Sequence, residues 1–149
     1  MKNNKNSHKN FLVLALHEAE KCQNIEYFGV GCLIINAQGE IISTGFTNEI
    51  PNEHAEEVAL KKVSNLENCT LYSTLEPCSV RLSTKKSCTS RIIESGIKLV
   101  VFGTHEPKDF VDCCGERLLL KAGIEVIQLK ELENECKVSI ISKRKNRPK

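Results

Sequence analysis

The sequence predicts an α/β domain in which a partly parallel sheet carries helices on both faces. From Cys69 onwards, apolar runs rich in β-branched residues alternate with segments of helical apolar spacing, which is typical of parallel strands joined by helices. Earlier in the chain, two apolar runs flank a short turn at 36–39 that ends in Gly39, which predicts an antiparallel hairpin. The two patterns together predict a mixed sheet.

The individual elements can be placed in order along the chain. Apolar residues at helical spacing predict a first amphipathic helix at 11–22, and the hairpin strands follow at 29–35 and 40–46. A second helix opens at His54, and Gly96 is the expected C-terminal signal of a third. The remaining strands are predicted at 69–75, 98–103 and 124–129, and the remaining helices at 88–96, 116–122 and 130–142. The strongly apolar run at 98–103 is expected to be a central strand.

Length and composition are those of one ordinary globular domain. The chain has 149 residues, of which 40% are hydrophobic and 27% charged. No apolar run approaches the roughly 20 residues that a membrane span needs, and the polar start does not resemble a signal peptide. We therefore expect a cytoplasmic protein without a membrane partner, whose eight cysteines are reduced rather than paired in disulfides.

The charge is distributed unevenly. Residues 1–10 and 143–149 hold eight Lys and Arg residues and no acid, so the net charge of +2 becomes −6 for residues 11–142. We interpret the two ends as flexible basic tails around a single domain at 11–142. A polynucleotide-binding body usually shows a basic face, so the acidic domain argues against a nucleic-acid partner, although the tails could still contact acidic molecules.

One imidazole and two thiols are candidates for a metal site. His54 begins a helix, Cys78 follows a strand, and Cys88 begins another helix, so all three are expected near helix N-termini at one edge of the sheet. Three protein ligands plus a water are typical of catalytic zinc. The alternative is a structural zinc completed by a further cysteine such as Cys113 or Cys114, but the C-x₂₋₄-C pairing of such sites is absent.

The arrangement resembles the signature of zinc deaminases, His-x-Glu followed by Pro-Cys and a second cysteine. His54-Ala55-Glu56 and Pro77-Cys78 match it, but nine residues instead of two separate Cys78 from Cys88. With the flanking segments 45–51, 74–83 and 106–111, the chain resembles the cytidine deaminase-like superfamily, and within it the fungal type of riboflavin-pathway pyrimidine deaminase. The resemblance implies a three-layer α/β/α fold, a Zn²⁺ cofactor and hydrolytic release of ammonia.

The resemblance also implies roles for individual residues. His54, Cys78 and Cys88 would be the zinc ligands, and Glu56 would carry the proton from the attacking water to the substrate. Glu57 has no match in the motif and is expected to be an exposed helix residue. Glu76 is left open between direct catalysis and orientation of the ligand loop.

The substrate implied by the resemblance is a small phosphorylated aminopyrimidine. Basic and hydroxyl side chains between Cys78 and Cys88 could hold its phosphate, or they could form a plain basic surface loop. Side chains in the loop before His54 could read its ring or sugar, and side chains after the strand at 98–103 could line the mouth of the site. The candidate substrate contacts are Asn48, Glu49, Arg81, Lys85, Lys86 and His105.

Three alternatives remain open from the sequence. A salvage deaminase for a nucleoside, nucleotide or base would share the fold and the zinc chemistry. A tRNA deaminase is disfavoured by the long cysteine spacing and the acidic domain, and a non-catalytic zinc-binding module would have no use for Glu56. Relatives of this kind are commonly dimers or larger, so a homodimer or higher homo-oligomer is expected.

Overall fold

A five-stranded mixed sheet lies at the centre of the computed structural model, which describes residues 5–22, 28–79, 86–106 and 114–142. The strands are β1 (Gly31–Ile35), β2 (Ile41–Phe46), β3 (Thr70–Leu75), β4 (Leu99–Thr104) and β5 (Glu125–Gln128). Within the described residues their order is β2-β1-β3-β4-β5. β1 pairs antiparallel with β2 and with β3, whereas β3, β4 and β5 run parallel. The predicted hairpin and the predicted mixed sheet are both confirmed.

Helices cover both faces of the sheet. They are α1 (Lys5–Ala19), α2 (Ala55–Lys61), α3 (Cys88–Ser95), α4 (Gly115–Lys121) and α5 (Glu133–Ser142). One buried cluster joins Ala59 of α2, Ile92 of α3 and Leu119 of α4 to one face of the sheet. A second cluster joins Leu12 of α1 and Cys136 of α5 to the opposite face. The predicted three-layer α/β/α fold is therefore confirmed.

The apolar character of the inner strands follows from these two layers. Successive side chains of a strand point to opposite faces, and in β1 Cys32 and Ile34 enter the first cluster while Leu33 and Ile35 enter the second. Every residue of β1 is buried. A strand covered on both faces must be apolar at nearly every position. The same reason explains the predicted inner strand at 98–103, since β4 lies between β3 and β5.

The first and the last helix differ most from the prediction. α1 begins at Lys5, so residues 5–10, which were predicted to belong to the tail, lie within the helix. This segment has no apolar spacing to predict a helix, but Nδ1 of His8 lies 2.8 Å from the hydroxyl of Tyr72 on β3. The last predicted helix is divided into a 3₁₀ turn at Lys130–Leu132 and α5. In the part of the chain that the structure describes, no helix has both the length and the apolar character to cross a bilayer.

Candidate active site

Three chain segments converge where β3 ends and where α2 and α3 begin. His54 is the N-cap residue of α2, and its backbone is extended, with φ −78° and ψ 160°. Cys78 follows the end of β3, and Cys88 is the first residue of α3. The hydroxyl of Ser87 caps α3 by accepting a hydrogen bond of 3.1 Å from the backbone N–H of Ser90. The local signals for strand end and helix start thus place all three candidate ligands at one edge of the sheet.

Two glycines allow the backbone around these residues to pack closely. A Cβ atom at Gly45 of β2 would lie 2.5 Å from the carbonyl oxygen of Ala55, so only glycine allows the start of α2 to rest on this strand. A Cβ atom at Gly115 would lie 2.1 Å from the carbonyl oxygen of Pro77. A side chain at either position would displace the segment that carries His54 or Cys78.

The three candidate ligands have the spacing that a tetrahedral zinc requires. Nδ1 of His54 lies 3.6 Å from Sγ of Cys78 and 3.5 Å from Sγ of Cys88, and the three ligand atoms all lie within 4.8 Å of one another. Bond lengths of about 2.0 Å to nitrogen and about 2.3 Å to sulfur at tetrahedral angles separate the two atoms by about 3.5 Å. The donor set and its geometry therefore fit zinc.

The thiol of Cys78 is prepared to bind a metal as a thiolate. Hydrogen bonding with Cys88 is the largest cause that lowers the pKa of Cys78 to about 4, and the neighbouring His54 lowers it further. The backbone N–H of Cys88 also lies 3.2 Å from Sγ of Cys78. A thiolate at neutral pH is the form that coordinates zinc. The structural-zinc alternative needs another cysteine, but among the described residues Cys114 is not part of the group, and Cys113 lies outside them.

Glu56 is buried beside this group. Its side chain is on the first turn of α2, only 4% of the residue is exposed, and one carboxylate oxygen lies 3.2 Å from the hydroxyl of Ser73. Burial is the largest cause that raises the pKa of Glu56 to about 7, followed by the negative charge of Cys78. A carboxyl group with a pKa near neutrality can both accept and return a proton.

The expectation that Glu57 is an exposed helix residue is wrong. Only 2% of Glu57 is exposed. One oxygen of its carboxylate accepts a hydrogen bond of 3.3 Å from the backbone N–H of His54, and the other lies 3.2 Å from Nη2 of Arg91 on α3. A Glu three residues after the N-cap is the second half of a capping box, a signal that sequence reasoning could have used.

Glu76, the residue after β3, accepts hydrogen bonds from two other segments of the chain. One carboxylate oxygen accepts a hydrogen bond of 3.3 Å from the backbone N–H of Glu106, and the other accepts one of 3.0 Å from the backbone N–H of Glu116, in the first turn of α4. The side chain is buried. These contacts favour the orienting role over direct catalysis for Glu76.

The candidates for substrate contact that the structure describes form hydrogen bonds or ion pairs within the protein. Asn48 has a φ of 68° and its side chain accepts a hydrogen bond of 2.7 Å from the backbone N–H of Asn52, so it holds its own loop. Glu49 forms an ion pair with Lys62 at 2.7 Å, and Lys86 forms one with Glu94 at 2.8 Å. Nε2 of His105 lies 2.7 Å from a carboxylate oxygen of Glu116. Arg81 and Lys85 lie outside the described residues. Substrate contact by any of the six stays a prediction.

Residues 5–104 match the family described as the cytidine and deoxycytidylate deaminase zinc-binding region. A diaminohydroxyphosphoribosylamino-pyrimidine deaminase of Schizosaccharomyces pombe is 44% identical over 138 residues, which is 87% of this chain and 34% of that protein. A cytosine deaminase of Candida albicans is 31% identical over 134 residues, which is 84% of this chain and 82% of that protein.

Solved structures lead to the same group. A diaminohydroxyphosphoribosylaminopyrimidine deaminase/5-amino-6-(5-phosphoribosylamino)uracil reductase of Thermotoga maritima superposes with a TM-score of 0.81 at 35% identity. The match covers 93% of this chain and 40% of that one. The chain thus spans about a third of the length of the first curated relatives it matches. The resemblance predicted from the motif is confirmed, and so is zinc as the expected cofactor: the chain belongs to the cytidine and deoxycytidylate deaminase family.

Proposed function

We propose that this chain is a zinc-dependent hydrolytic deaminase that replaces an exocyclic amine of a phosphorylated diaminopyrimidine with a carbonyl oxygen and releases ammonia. One observation carries the proposal: the ligand atoms of His54, Cys78 and Cys88 lie within 4.8 Å of one another, and the buried carboxyl of Glu56 lies beside them. A structural metal site would gain nothing from a buried carboxyl whose pKa is about 7.

Three side chains would bind the metal, and a fourth transfers protons. Zinc held by His54, Cys78 and Cys88 would acidify a water molecule and so supply a nucleophile at neutral pH. The carboxylate of Glu56 takes a proton from the attacking water and delivers it to a ring nitrogen of the substrate. As the carbon–nitrogen bond breaks, the same carboxylate takes the second proton of the added water and passes it to the departing amine, which leaves as ammonia while the ring keeps the oxygen as a carbonyl.

The substrate class is supported by the relatives. The Schizosaccharomyces pombe and Thermotoga maritima proteins are both named for deamination of a phosphoribosylaminopyrimidine. We propose a precursor of this kind in riboflavin synthesis as the substrate, with Arg81, Lys85 and Lys86 as candidates to hold its phosphate. The second candidate is a base deaminase, which is favoured by the match over 82% of the Candida albicans cytosine deaminase.

We also propose where the protein is located, how it assembles and which partners it lacks. We propose a cytoplasmic homodimer or higher homo-oligomer that has no nucleic-acid partner, with a catalytic domain at 11–142. Residues 1–4 and 143–149 of the predicted tails lie outside the described residues. The charge of −6 over residues 11–142 supports the lack of a polynucleotide partner. Light scattering of the purified protein, with and without RNA, tests both points: a monomer or a salt-dependent RNA complex would contradict them.

The activity is tested by ammonia release from the zinc-loaded protein. The substrates are the ribosyl and ribityl forms of the phosphorylated aminopyrimidine, with cytosine, cytidine, deoxycytidylate and guanine for comparison. We expect turnover of a phosphorylated aminopyrimidine, and loss of turnover with retention of zinc in Glu56→Ala. Glu131→Gln, at an exposed position in the 3₁₀ turn Lys130–Leu132, serves as the control that should stay active. Turnover of cytosine alone would select the second candidate, and no ammonia from any substrate would refute a deaminase.

A further inference from the structure

We infer that Glu57 and Arg91 form a positioning pair that sets the distance between the His54 and Cys88 ends of the metal site. The inference rests on the proposed function, because it takes these two residues as zinc ligands. Neither Glu57 nor Arg91 is proposed to contact the reacting atoms. They act on the site through the two helices that carry the ligands.

The carboxylate of Glu57 bonds to both sides of the site. One oxygen accepts the hydrogen bond of 3.3 Å from the backbone N–H of His54, which fixes the backbone of a ligand residue. The other oxygen lies 3.2 Å from Nη2 of Arg91, which belongs to the helix that Cys88 begins. A single rigid carboxylate therefore joins the ligand residue of α2 to the helix that carries the ligand of α3.

The positions in sequence strengthen this geometry. Glu57 comes three residues after His54, and Arg91 comes three residues after Cys88. Residues three apart lie on the same side of a helix, about one turn from each other. The ion pair thus joins α2 and α3 one turn away from both ligand residues. A shift of either helix along or away from the other would stretch the ion pair and the nitrogen–sulfur spacing together.

Because the ion pair is largely buried, the site should respond strongly to the loss of either partner. Glu57 is 2% exposed and the side chain of Arg91 is 27% exposed, so the removal of one partner leaves a poorly solvated charge. The planar guanidinium of Arg91 also fixes the direction of its hydrogen bonds to the carboxylate, which a flexible lysine ammonium group would not do. Lys86 and Glu94 offer a contrast near the same helix, since their side chains are 50% and 59% exposed. Such an exposed pair is worth little in free energy.

The test compares variants that break the pair in different ways. Glu57→Gln keeps an oxygen for the N–H of His54, because Gln also completes a capping box, and removes the charge. Arg91→Met removes the guanidinium, Arg91→Lys keeps the charge without the planar group, and the Glu57→Gln/Arg91→Met double variant removes both charges. Glu94→Gln is the matched control on α3. Each protein is measured at a temperature at which its metal-free form remains folded.

Three properties are measured for every variant: zinc affinity by competition with a chelator, the absorption spectrum of bound Co²⁺, and the urea midpoint of the metal-free protein. We expect Glu57→Gln and Arg91→Met each to lower zinc affinity by about 10- to 100-fold, the usual effect of removing a group that orients a ligand. The Co²⁺ bands, which depend on ligand geometry, should shift as well. Arg91→Lys should be intermediate, and the double variant should be no weaker than the weaker single variant.

The outcomes separate this inference from the proposed function. If Glu57→Gln and Arg91→Met bind zinc and Co²⁺ like the wild type while only their urea midpoints fall, the pair is purely structural and the inference is wrong. Additive losses in the double variant would also overturn it. If the wild-type protein itself binds neither metal, the proposed function fails, and the inference fails with it.

Discussion

Replacement of Glu56 by Gln should change how the stability of the metal-free protein depends on pH. In the folded protein, burial and the charge of Cys78 raise the pKa of Glu56 from its ordinary value of 4.5 to about 7. Each unit of difference between the two pKa values corresponds to about 1.4 kcal/mol, so ionisation of Glu56 costs the folded state about 3 kcal/mol. Gln resembles the protonated form and never ionises.

The sign follows from linkage between proton binding and folding. Because the pKa is raised on folding, the stability that Glu56 contributes is fully present below pH 4.5 and is lost as the pH rises through about 7. Glu56→Gln should therefore match the wild type at pH 4.5 and exceed it by about 3 kcal/mol at pH 8. All other titrating groups are common to both proteins, so the difference isolates Glu56 and its coupling to Cys78.

The assay is urea unfolding of both proteins at pH 4.5, 6 and 8, in the presence of a chelator and a thiol reductant. Glu94→Gln is the control, since it makes the same substitution on an exposed side chain. A Glu56→Gln difference that stays within about 0.5 kcal/mol over the whole range would refute the reasoning, because it would mean that the carboxyl is not desolvated in the folded state.

Three further predictions concern the segments around the site. Cys88→Ser should lose most of the bound zinc, whereas Cys69→Ser, which removes a cysteine outside the group, should retain one equivalent when measured by mass spectrometry. Glu76→Ala leaves two partly buried backbone N–H groups without their carboxylate partner and should lower the free energy of unfolding by about 1–3 kcal/mol; unchanged hydrogen exchange at those two amides would contradict this. Gly115→Ala forces a methyl group against the carbonyl oxygen of Pro77, and should cost about 1–3 kcal/mol and weaken zinc binding in a chelator competition; equal zinc affinity would show that the loop can move away freely.

The fold could be predicted because its signals are local. The hairpin of β1 and β2 follows from a short turn between two apolar runs, and the inner position of β4 follows from a run that is apolar at nearly every residue. The start of α1 could not be predicted in this way. Its first turns contain no apolar stripe, and the contact of His8 with Tyr72 joins residues that are far apart in sequence.

The candidate site shows the same division. His54, Glu56, Cys78 and Cys88 were predicted from their residue types and from the resemblance to the zinc deaminase signature, and the structure brings the three ligand candidates together. The capping-box position of Glu57 could have been recognised from the sequence. Its ion pair with Arg91 could not, because Arg91 lies on another helix and sequence periodicity contains no information about which helices face each other. Such a partner can be identified only from the folded chain.

The distribution of the ligands over three elements has a consequence for how the protein folds. His54 is separated from Cys78 by 24 positions, and Cys78 from Cys88 by 10, and each stands at the end of a different helix or strand. Helices as short as α2 and α3, with 7 and 8 residues, do not persist on their own in water. A peptide cut from the chain would therefore lack the three-ligand geometry, unlike a small zinc finger. The appearance of a tetrahedral metal spectrum during refolding would report the docking of both helices onto the completed sheet, so the metal can serve as a kinetic probe of the last folding step.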